Sequence, residues 1–105
     1  MRTFDHPNQA EFTLDAVLTA LSDPIRRQIV HMLASTPQEK ACGTFGLPLS
    51  KSTLTHHFRV LREAGIITQR YQGTAILNTL RQDDLETRFP GPLTAIIAAE
   101  ERPSS

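Results

Sequence analysis

One stretch of the chain, residues 50–65, combines side chains that pack a helix with side chains that bind nucleic acid. Leu54, Phe58 and Leu61 recur at spacings of four and three, which places them along one stripe of an α-helix. Ammonium, guanidinium, imidazole and hydroxyl groups are the donors that proteins use toward DNA phosphates and base edges. The opposite stripe carries such groups and no carboxylate: Lys51, Ser52, Thr55, His56 and Arg59. The sequence therefore predicts a helix that enters the major groove of DNA.

Charge is unevenly distributed along a chain whose formal net charge is zero. Residues 50–81 hold five basic side chains and one acidic side chain, a local charge of +4, whereas residues 1–49 carry −1 and residues 82–105 carry −3. A basic middle third between acidic flanks can orient a neutral protein on a polyanion. Charge alone fits an ordinary solvated surface equally well, so the residue pattern has to decide.

Length and composition exclude several classes of protein. A chain of 105 residues has room for a single domain. No segment approaches the roughly 18 consecutive apolar residues of a membrane-spanning helix, and no apolar stretch follows the N-terminal charges as in a secretory signal. Cys42 is the only cysteine, which rules out a disulfide within the chain, so we expect a cytoplasmic protein.

Apolar spacing predicts two helices before the basic stretch, over residues 12–21 and 24–34. Between them, Ser22 or Asp23 can cap the second helix and Pro24 suits its first turn. We expect the second helix to bury Ile29 and to turn Arg26 and Arg27 outward.

Residues 39–45 predict only a short or irregular helix, because Gly43, Gly46 and Pro48 lower helix propensity around them. Ser50 is expected to cap the basic helix, and Gly65 to end it in a left-handed conformation. A helix-turn-helix over residues 39–65 follows from this arrangement.

After Gly65 the hydrophobic period changes to that of β-strands. Residues 66–70 and 75–80 predict a hairpin, with a turn over 71–74 that contains Gly73 and leaves Arg70 near the tip. Asp83 or Asp84 can cap a later helical segment, which residues 89–92 interrupt and residues 93–99 resume. We expect the ends, residues 1–7 and 101–105, to be frayed.

The predicted fold is therefore a winged helix-turn-helix, mainly α-helical, with about five helices and a two-stranded wing over residues 66–80. Three segments also resemble the ArsR/SmtB family of bacterial transcriptional regulators: residues 20–30 (ALSDPIRRQIV), residues 50–67 (SKSTLTHHFRVLREAGII) and the Gly73 wing. The resemblance extends over residues 12–85. It implies a homodimer that binds a partly palindromic operator in double-stranded DNA and usually represses transcription.

The family resemblance also implies that the first and last helices, at about residues 8–21 and 83–100, form the dimer interface. The last helix is too apolar for a free tail, although it could equally fold back on its own domain. The residues predicted for dimerisation are Leu14, Leu18, Leu93, Ile96 and Ile97.

The predicted DNA contacts divide by location. Arg62 and Arg70 are expected to bind backbone phosphates, and the wing around Gly73 is expected to lie alongside the duplex. His57 lies at the core boundary, where it is expected to position the helix and to contact a phosphate. The residues predicted to enter the major groove are Lys51, Ser52, Thr55, His56 and Arg59, and Thr53 is also predicted to contact DNA.

Other functions have weaker support in the sequence. Some family members respond to metals, but the region before the turn offers only Cys42 and no His or Cys follows residue 57, so we expect no metal and no cofactor. Cys42 is either a partly buried thiol or a redox switch that lacks a resolving partner. An enzyme would pair Cys42 with His56 or His57, which no other motif supports. A winged helix used only for protein interaction is the alternative from another class, and the sequence names no effector.

Overall fold

The structure, a computed structural model, describes residues 3–36 and 38–101. The predicted frayed residues 1–2 and 102–105 lie outside the described residues. Two 3-10 turns, Gln9–Glu11 and Cys42–Thr44, accompany the regular elements. In chain order these are α1 (Leu14–Leu21), α2 (Pro24–Ala34), β1 (Lys40–Ala41), α3 (Lys51–Glu63), β2 (Ile67–Gln72), β3 (Ala75–Leu80), α4 (Gln82–Arg88) and α5 (Pro92–Glu101). The predicted winged helix-turn-helix with five helices is confirmed.

Side-chain caps set the beginnings of the first two helices. Thr13 Oγ1 accepts a hydrogen bond from the Ala16 amide at 3.2 Å, and Asp23 Oδ1 accepts from the amides of Ile25 and Arg26 at 2.8 and 3.1 Å. Pro24 occupies the first turn of α2, where its missing N–H leaves no hydrogen bond unmade. Asp23 is therefore the cap that the sequence predicted for Ser22 or Asp23.

The segment predicted as a short helix over residues 39–45 instead begins with a strand. Lys40 and Ala41 pair antiparallel with Asn78 and Leu77 of β3, and a 3-10 turn follows. The Asn78 side chain reinforces this pairing by donating to the Lys40 carbonyl at 2.9 Å. The helix prediction was wrong because the strand partner lies far along the chain, and the predicted two-stranded wing belongs to a three-stranded sheet in the order β1-β3-β2.

Gly65 ends α3 as predicted, with φ +88°. The Gly65 amide donates to the Arg62 carbonyl and the Ile66 amide donates to the Leu61 carbonyl, each at 3.0 Å. These two bonds form a Schellman motif, which satisfies carbonyls at the helix end. The chain thereby turns directly from α3 into β2, the first strand of the wing.

The hairpin is longer than predicted. Gln72 pairs with Ala75, so the turn contains only Gly73 and Thr74, and Tyr71 lies within β2 opposite Ile76. Gly73 has φ +61°, the conformation expected of the hinge glycine. Arg70 pairs with Leu77 and therefore lies further from the tip than the sequence predicted.

Two predictions for the C-terminal helices need correction. Asp83 and Asp84 do not cap α4 but lie inside its first turn, where the helix dipole stabilises their negative charges. The N-cap residue is Arg81, and its side chain makes no capping hydrogen bond. Leu93, predicted for the dimer interface, is 2% exposed in a single chain, because α5 folds back against α2. Leu93 is a core residue, whereas Ile96 and Ile97 are half-buried at the edge of the core.

The N-terminal arm, residues 3–7, is packed against the sheet, so the prediction that these residues are frayed was wrong. Phe4 stacks on Tyr71 with ring centroids 4.5 Å apart, and His6 Nε2 accepts the Gln69 amide of β2 at 2.9 Å. The Pro7 carbonyl accepts from Arg81 at 2.8 Å. Because β2 is an edge strand, the arm covers backbone that would otherwise be open to pairing.

Within residues 3–36 and 38–101, no helix has the length and apolar character needed to cross a bilayer.

Replacing Gly65 with alanine is expected to destabilise the fold strongly. Its φ is positive, and an added Cβ would lie 2.6 Å from Phe12 Cδ1. Left-handed backbone costs about 1–2 kcal/mol and overpacking about 1–3 kcal/mol, so the free energy of unfolding in urea should fall by roughly 2–4 kcal/mol. Gly73→Ala is the matched control, because its φ is +61° but nothing lies within 4 Å of the new Cβ. Equal losses in the two variants would contradict the Phe12 clash.

Acid is expected to weaken the fold before the carboxylates titrate. Burial, with the charges of Arg81 and Arg62, lowers the pKa of His6, and burial also lowers the pKa of His57. Below about pH 6.5 the unfolded chain then binds more protons than the folded one, so the free energy of unfolding falls as pH falls. Urea titrations at about pH 7.5 and about pH 5.5 should show this loss, and His6→Gln should reduce it. A pH-independent free energy in the parent would contradict the prediction.

Candidate nucleic-acid interface

The exposed side of α3 is polar and basic, and its other side is core. Phe58 and Leu61 are buried, whereas the side chains of the predicted major-groove residues and of Thr53 are all exposed. We call this exposed set the recognition face: Lys51, Ser52, Thr53, Thr55, His56 and Arg59. The predicted division of the helix into a packing stripe and a polar stripe is thus present in the structure.

Hydroxyl groups cluster at the N-terminus of α3. Ser50 caps the helix by accepting the Thr53 amide at 3.2 Å, and its hydroxyl donates to Thr53 Oγ1 at 2.8 Å. Thr55 Oγ1 donates to the Lys51 carbonyl at 2.8 Å, which fixes its rotamer and leaves its lone pairs and methyl group outward. A helix N-terminus with ordered, short polar side chains suits contact with base edges.

Lys51 and Arg59 are the unengaged cations of the recognition face. Across residues 3–36 and 38–101, neither side chain forms an ion pair or a hydrogen bond with the protein. The other three basic residues of the +4 segment, Arg62, Arg70 and Arg81, each have a hydrogen-bond partner within the protein. Arg81, for example, donates to Asp84 Oδ2 at 3.0 Å. The positive charge available to DNA is therefore smaller than the sequence count indicated.

Arg62, predicted to bind a phosphate, is turned toward the sheet. Its Nη1 donates to Gln69 Oε1 at 2.7 Å, and its guanidinium carbon lies 4.7 Å from the Phe4 ring centroid. Its Nε is buried without a partner among the described residues. These contacts make Arg62 a link between α3, β2 and the N-terminal arm, and they leave it poorly placed for a phosphate.

Arg70, on the wing, is exposed and paired with Glu39. Arg70 Nε donates to Glu39 Oε2 at 2.7 Å, and this hydrogen bond lowers the pKa of Glu39. An exposed pair of this kind contributes little free energy, so a DNA phosphate can replace the carboxylate. Arg70 thus remains able to contact DNA in the manner that the sequence predicted.

The two adjacent histidines have different environments. His56 is exposed, as predicted, whereas His57 is 8% exposed at the core boundary. Arg26 Nη1 lies 3.2 Å from His57 Nδ1, and burial lowers the pKa of His57. Because the guanidinium can only donate, Nδ1 must accept and the ring is neutral. The sequence predicted the location of His57 but not its partner.

Cys42 lies in a buried polar cluster. Asn78 Nδ2 lies 3.2 Å from its Sγ, and burial raises the pKa of the thiol. A high pKa leaves little of the reactive thiolate, which favours the predicted partly buried thiol over a redox switch. Among the described residues there is also no group of three His, Cys, Asp or Glu side chains that could hold a metal.

Two residues at this surface were missed by the sequence interpretation. Arg26 was expected to face outward, but it is half-buried and donates to the Ala20 carbonyl at 2.6 Å as well as to His57. No pattern in the sequence singled out His6, which lies in the N-terminal arm. Both contact groups that no local pattern identifies, since the partner of Arg26 lies 31 residues away and that of His6 is a backbone amide 63 residues away.

Comparison with known proteins agrees with this geometry. Residues 23–69 match the family model described as bacterial regulatory protein, arsR family. The uncharacterized HTH-type transcriptional regulator YceK of Bacillus subtilis (strain 168) is 34% identical over 82 residues, 76% of this chain and 82% of that protein. The transcriptional repressor SdpR of the same strain is 27% identical over 73 residues, 70% and 81% of the two chains.

A solved structure shares the fold. The ArsR-like transcriptional regulator from Rhodococcus sp. RHA1 superimposes with a TM-score of 0.61 at 24% identity, over 85% of this chain and 83% of that chain. The structure thus combines two capped helices, α2 and α3, with an exposed recognition face and a wing, and its sequence is related to known regulators. The chain belongs to the arsR family of bacterial regulatory proteins and is a DNA-binding transcriptional regulator.

Proposed function

We propose that this protein is a cytoplasmic repressor without enzymatic activity that binds a partly palindromic operator as a homodimer. The recognition face of α3 carries the proposal, since it presents hydroxyls, an imidazole and two free cations without a carboxylate. Repression, in place of activation, is supported by the likeness to SdpR.

In this proposal each part of the chain has a separate role. Residues 39–65, in which a short strand and a 3-10 turn lead into α3, form the helix-turn-helix region and place the recognition face in the major groove. Residues 66–80 form the wing. Arg70 exchanges Glu39 for a phosphate, and the Gly73 turn lies beside the duplex. Arg62 supports the wing from inside and is not among the proposed phosphate contacts.

The proposed dimer interface uses the outer side of α1 together with the C-terminal helices α4 and α5, at about residues 8–21 and 83–100. Leu14 and Leu18 are 42% and 46% exposed and lie one helical turn apart, so they form one apolar stripe. Within the described residues they are the large hydrophobic side chains most exposed to solvent. Half-buried Ile96 and Ile97 can extend the interface, whereas Leu93 is already used in the core.

A charge on this stripe is expected to separate the protomers. Leu18→Glu would place a carboxylate in the apolar interface, and burying an unpaired charge is strongly unfavourable. Sedimentation should therefore show a shift from dimer to monomer. Ala16→Glu is the matched control, because Ala16 is exposed on the same helix but on its other side. If both variants sediment as the parent does, α1 does not form the interface.

Selection from a random duplex pool tests the proposed function directly. We expect a recovered sequence with two related half-sites about one helical turn apart, and affinity that falls steeply with added salt. A winged helix that serves only protein interaction would instead retain little duplex even at low salt.

Loss of recognition-face side chains should weaken binding to the recovered duplex. Arg59→Ala and Thr55→Ala are each expected to cost about 1–3 kcal/mol when they remove a base contact, measured by fluorescence anisotropy. Arg88→Ala removes the same charge from an exposed residue of α4, and provided that sedimentation shows the parent's dimer it should bind nearly as the parent does. Unchanged affinity in both α3 variants would show that this face does not contact DNA.

A further inference from the structure

We propose that Arg26 is a positioning residue for DNA binding, which holds the neutral His57 ring so that its Nε2–H donates to a DNA phosphate. The inference rests on the proposed function, because it requires that α3 lie against a duplex. It assigns a role to a side chain of α2 that is outside the recognition face.

Three contacts fix the Arg26 guanidinium. Its Nε donates to the Ala20 carbonyl at 2.6 Å, and its Nη2 is directed to the Thr19 carbonyl at 3.5 Å. Both carbonyls lie in the last turn of α1, where the helix dipole favours a cation. The Thr19 carbonyl also accepts from the Ser22 amide at 3.2 Å and from the Ser22 hydroxyl at 2.6 Å, so the shorter bond to Ala20 is the main anchor. The third contact is Nη1 to His57 Nδ1 at 3.2 Å. Arg26 therefore connects the end of α1 to the middle of α3.

The guanidinium determines which nitrogen of His57 carries the proton. Arginine stays protonated and has donors only, so His57 Nδ1 must present its lone pair, and the proton of the neutral ring resides on Nε2. The other charged or titratable groups facing the ring are Asp23 of α2, which favours the protonated ring, and His56, which opposes it. Burial is the largest influence on the pKa of His57 and lowers it, in agreement with a neutral ring.

The Nε2–H remains available to a ligand. His57 Nε2 has no hydrogen-bond partner among the described residues. Arg62 Nε is the side-chain atom found there to be both fully buried and unpartnered, so His57 Nε2 is not fully buried. His57 keeps 8% of its surface exposed, although most of the ring is covered. The ring lies beside the recognition face, with the ring centroids of His56 and His57 5.9 Å apart.

A phosphate oxygen is the ligand that fits this donor. In a helix-turn-helix complex the recognition helix lies in the groove and the preceding helix crosses the DNA backbone, so a donor between them faces phosphates. Backbone phosphates are the acceptors that position such proteins on DNA. A neutral donor releases no counterion, so this contact should strengthen binding without steepening its salt dependence.

The first test reads the His57 ring directly. Two-bond ¹H–¹⁵N spectra of the labelled full chain should show His57 protonated at Nε2, and adding the duplex recovered by selection should shift the Nε2 signal more than the Nδ1 signal. A ring protonated at Nδ1, or an Nε2 signal that the duplex leaves unmoved, would overturn the proposal.

The second test removes the guanidinium. Arg26→Met should release the His57 ring from its fixed orientation and tautomer and weaken duplex binding roughly three- to tenfold, the value of one hydrogen bond, with the salt dependence unchanged. Arg27→Met is the matched control: Arg27 also donates to an α1 carbonyl, that of Leu21 at 3.0 Å, but it contacts Glu100 and not α3. Both variants lose one positive charge, so equal weakening would overturn the proposal.

A double-mutant cycle separates positioning from general destabilisation. His57→Ala should weaken binding as much as Arg26→Met does, and the two changes together should cost no more than either alone. His57→Gln, which keeps an N–H donor, should restore part of the loss. If Arg26→Met does not fold, Arg26→Lys is used in its place in the cycle. Lysine keeps the positive charge but lacks the guanidinium group that contacts both Ala20 and His57. Additive losses would overturn the proposal.

Failure of this inference can be told from failure of the proposed function. A parent protein that binds no duplex overturns both. A parent that binds duplex with an unmoved His57 Nε2 signal, and with Arg26→Met as tight as Arg27→Met, overturns only the role of Arg26.

Discussion

The packing of α3 against α1 and α2 is the constraint on which the rest of the structure depends. Phe58 and Leu61 bury one side of α3, and this burial decides which residues remain outside. Gly65 then allows the chain to turn closely around Phe12, so the wing begins directly at the end of the helix. A rotation of α3 by one residue would bury part of the recognition face and expose core side chains, so packing and DNA contact are set by the same stripe.

Partly buried polar contacts join this helix to its surroundings where apolar packing ends. The Arg26 fork connects α1 to His57, and Arg62 connects the C-terminal half of α3 to Gln69 of β2. Both are directional, so they fix the helix and the wing in orientation as well as in position. A DNA reader needs such fixed geometry, because hydrogen bonds to base edges tolerate only small displacements.

Local patterns in the sequence were enough to predict most of the fold. Asp23 and Ser50 cap neighbouring amides, and Gly65 and Gly73 adopt the positive φ expected of them, because these features depend on residues close in the chain. The failures are contacts with distant partners. Strand β1 exists because Asn78 and Leu77 pair with it. The N-terminal arm has a fixed position because the Gln69 amide donates to His6 and the Tyr71 ring stacks on Phe4.

The distinction between local patterns and distant contacts also explains how much of the candidate site the sequence could predict, and it bears on the proposed dimer. The sequence predicted the recognition face from helical spacing alone, but its charge count could not show that Arg62, Arg70 and Arg81 already have internal partners. Two free cations on the face of one protomer allow few phosphate contacts, and the salt-sensitive part of DNA affinity grows with the number of such contacts. Linking two protomers doubles that number and adds the benefit of simultaneous binding. The internal pairing of the arginines thus gives a physical reason for the proposed homodimer, since one recognition face alone would hold DNA weakly.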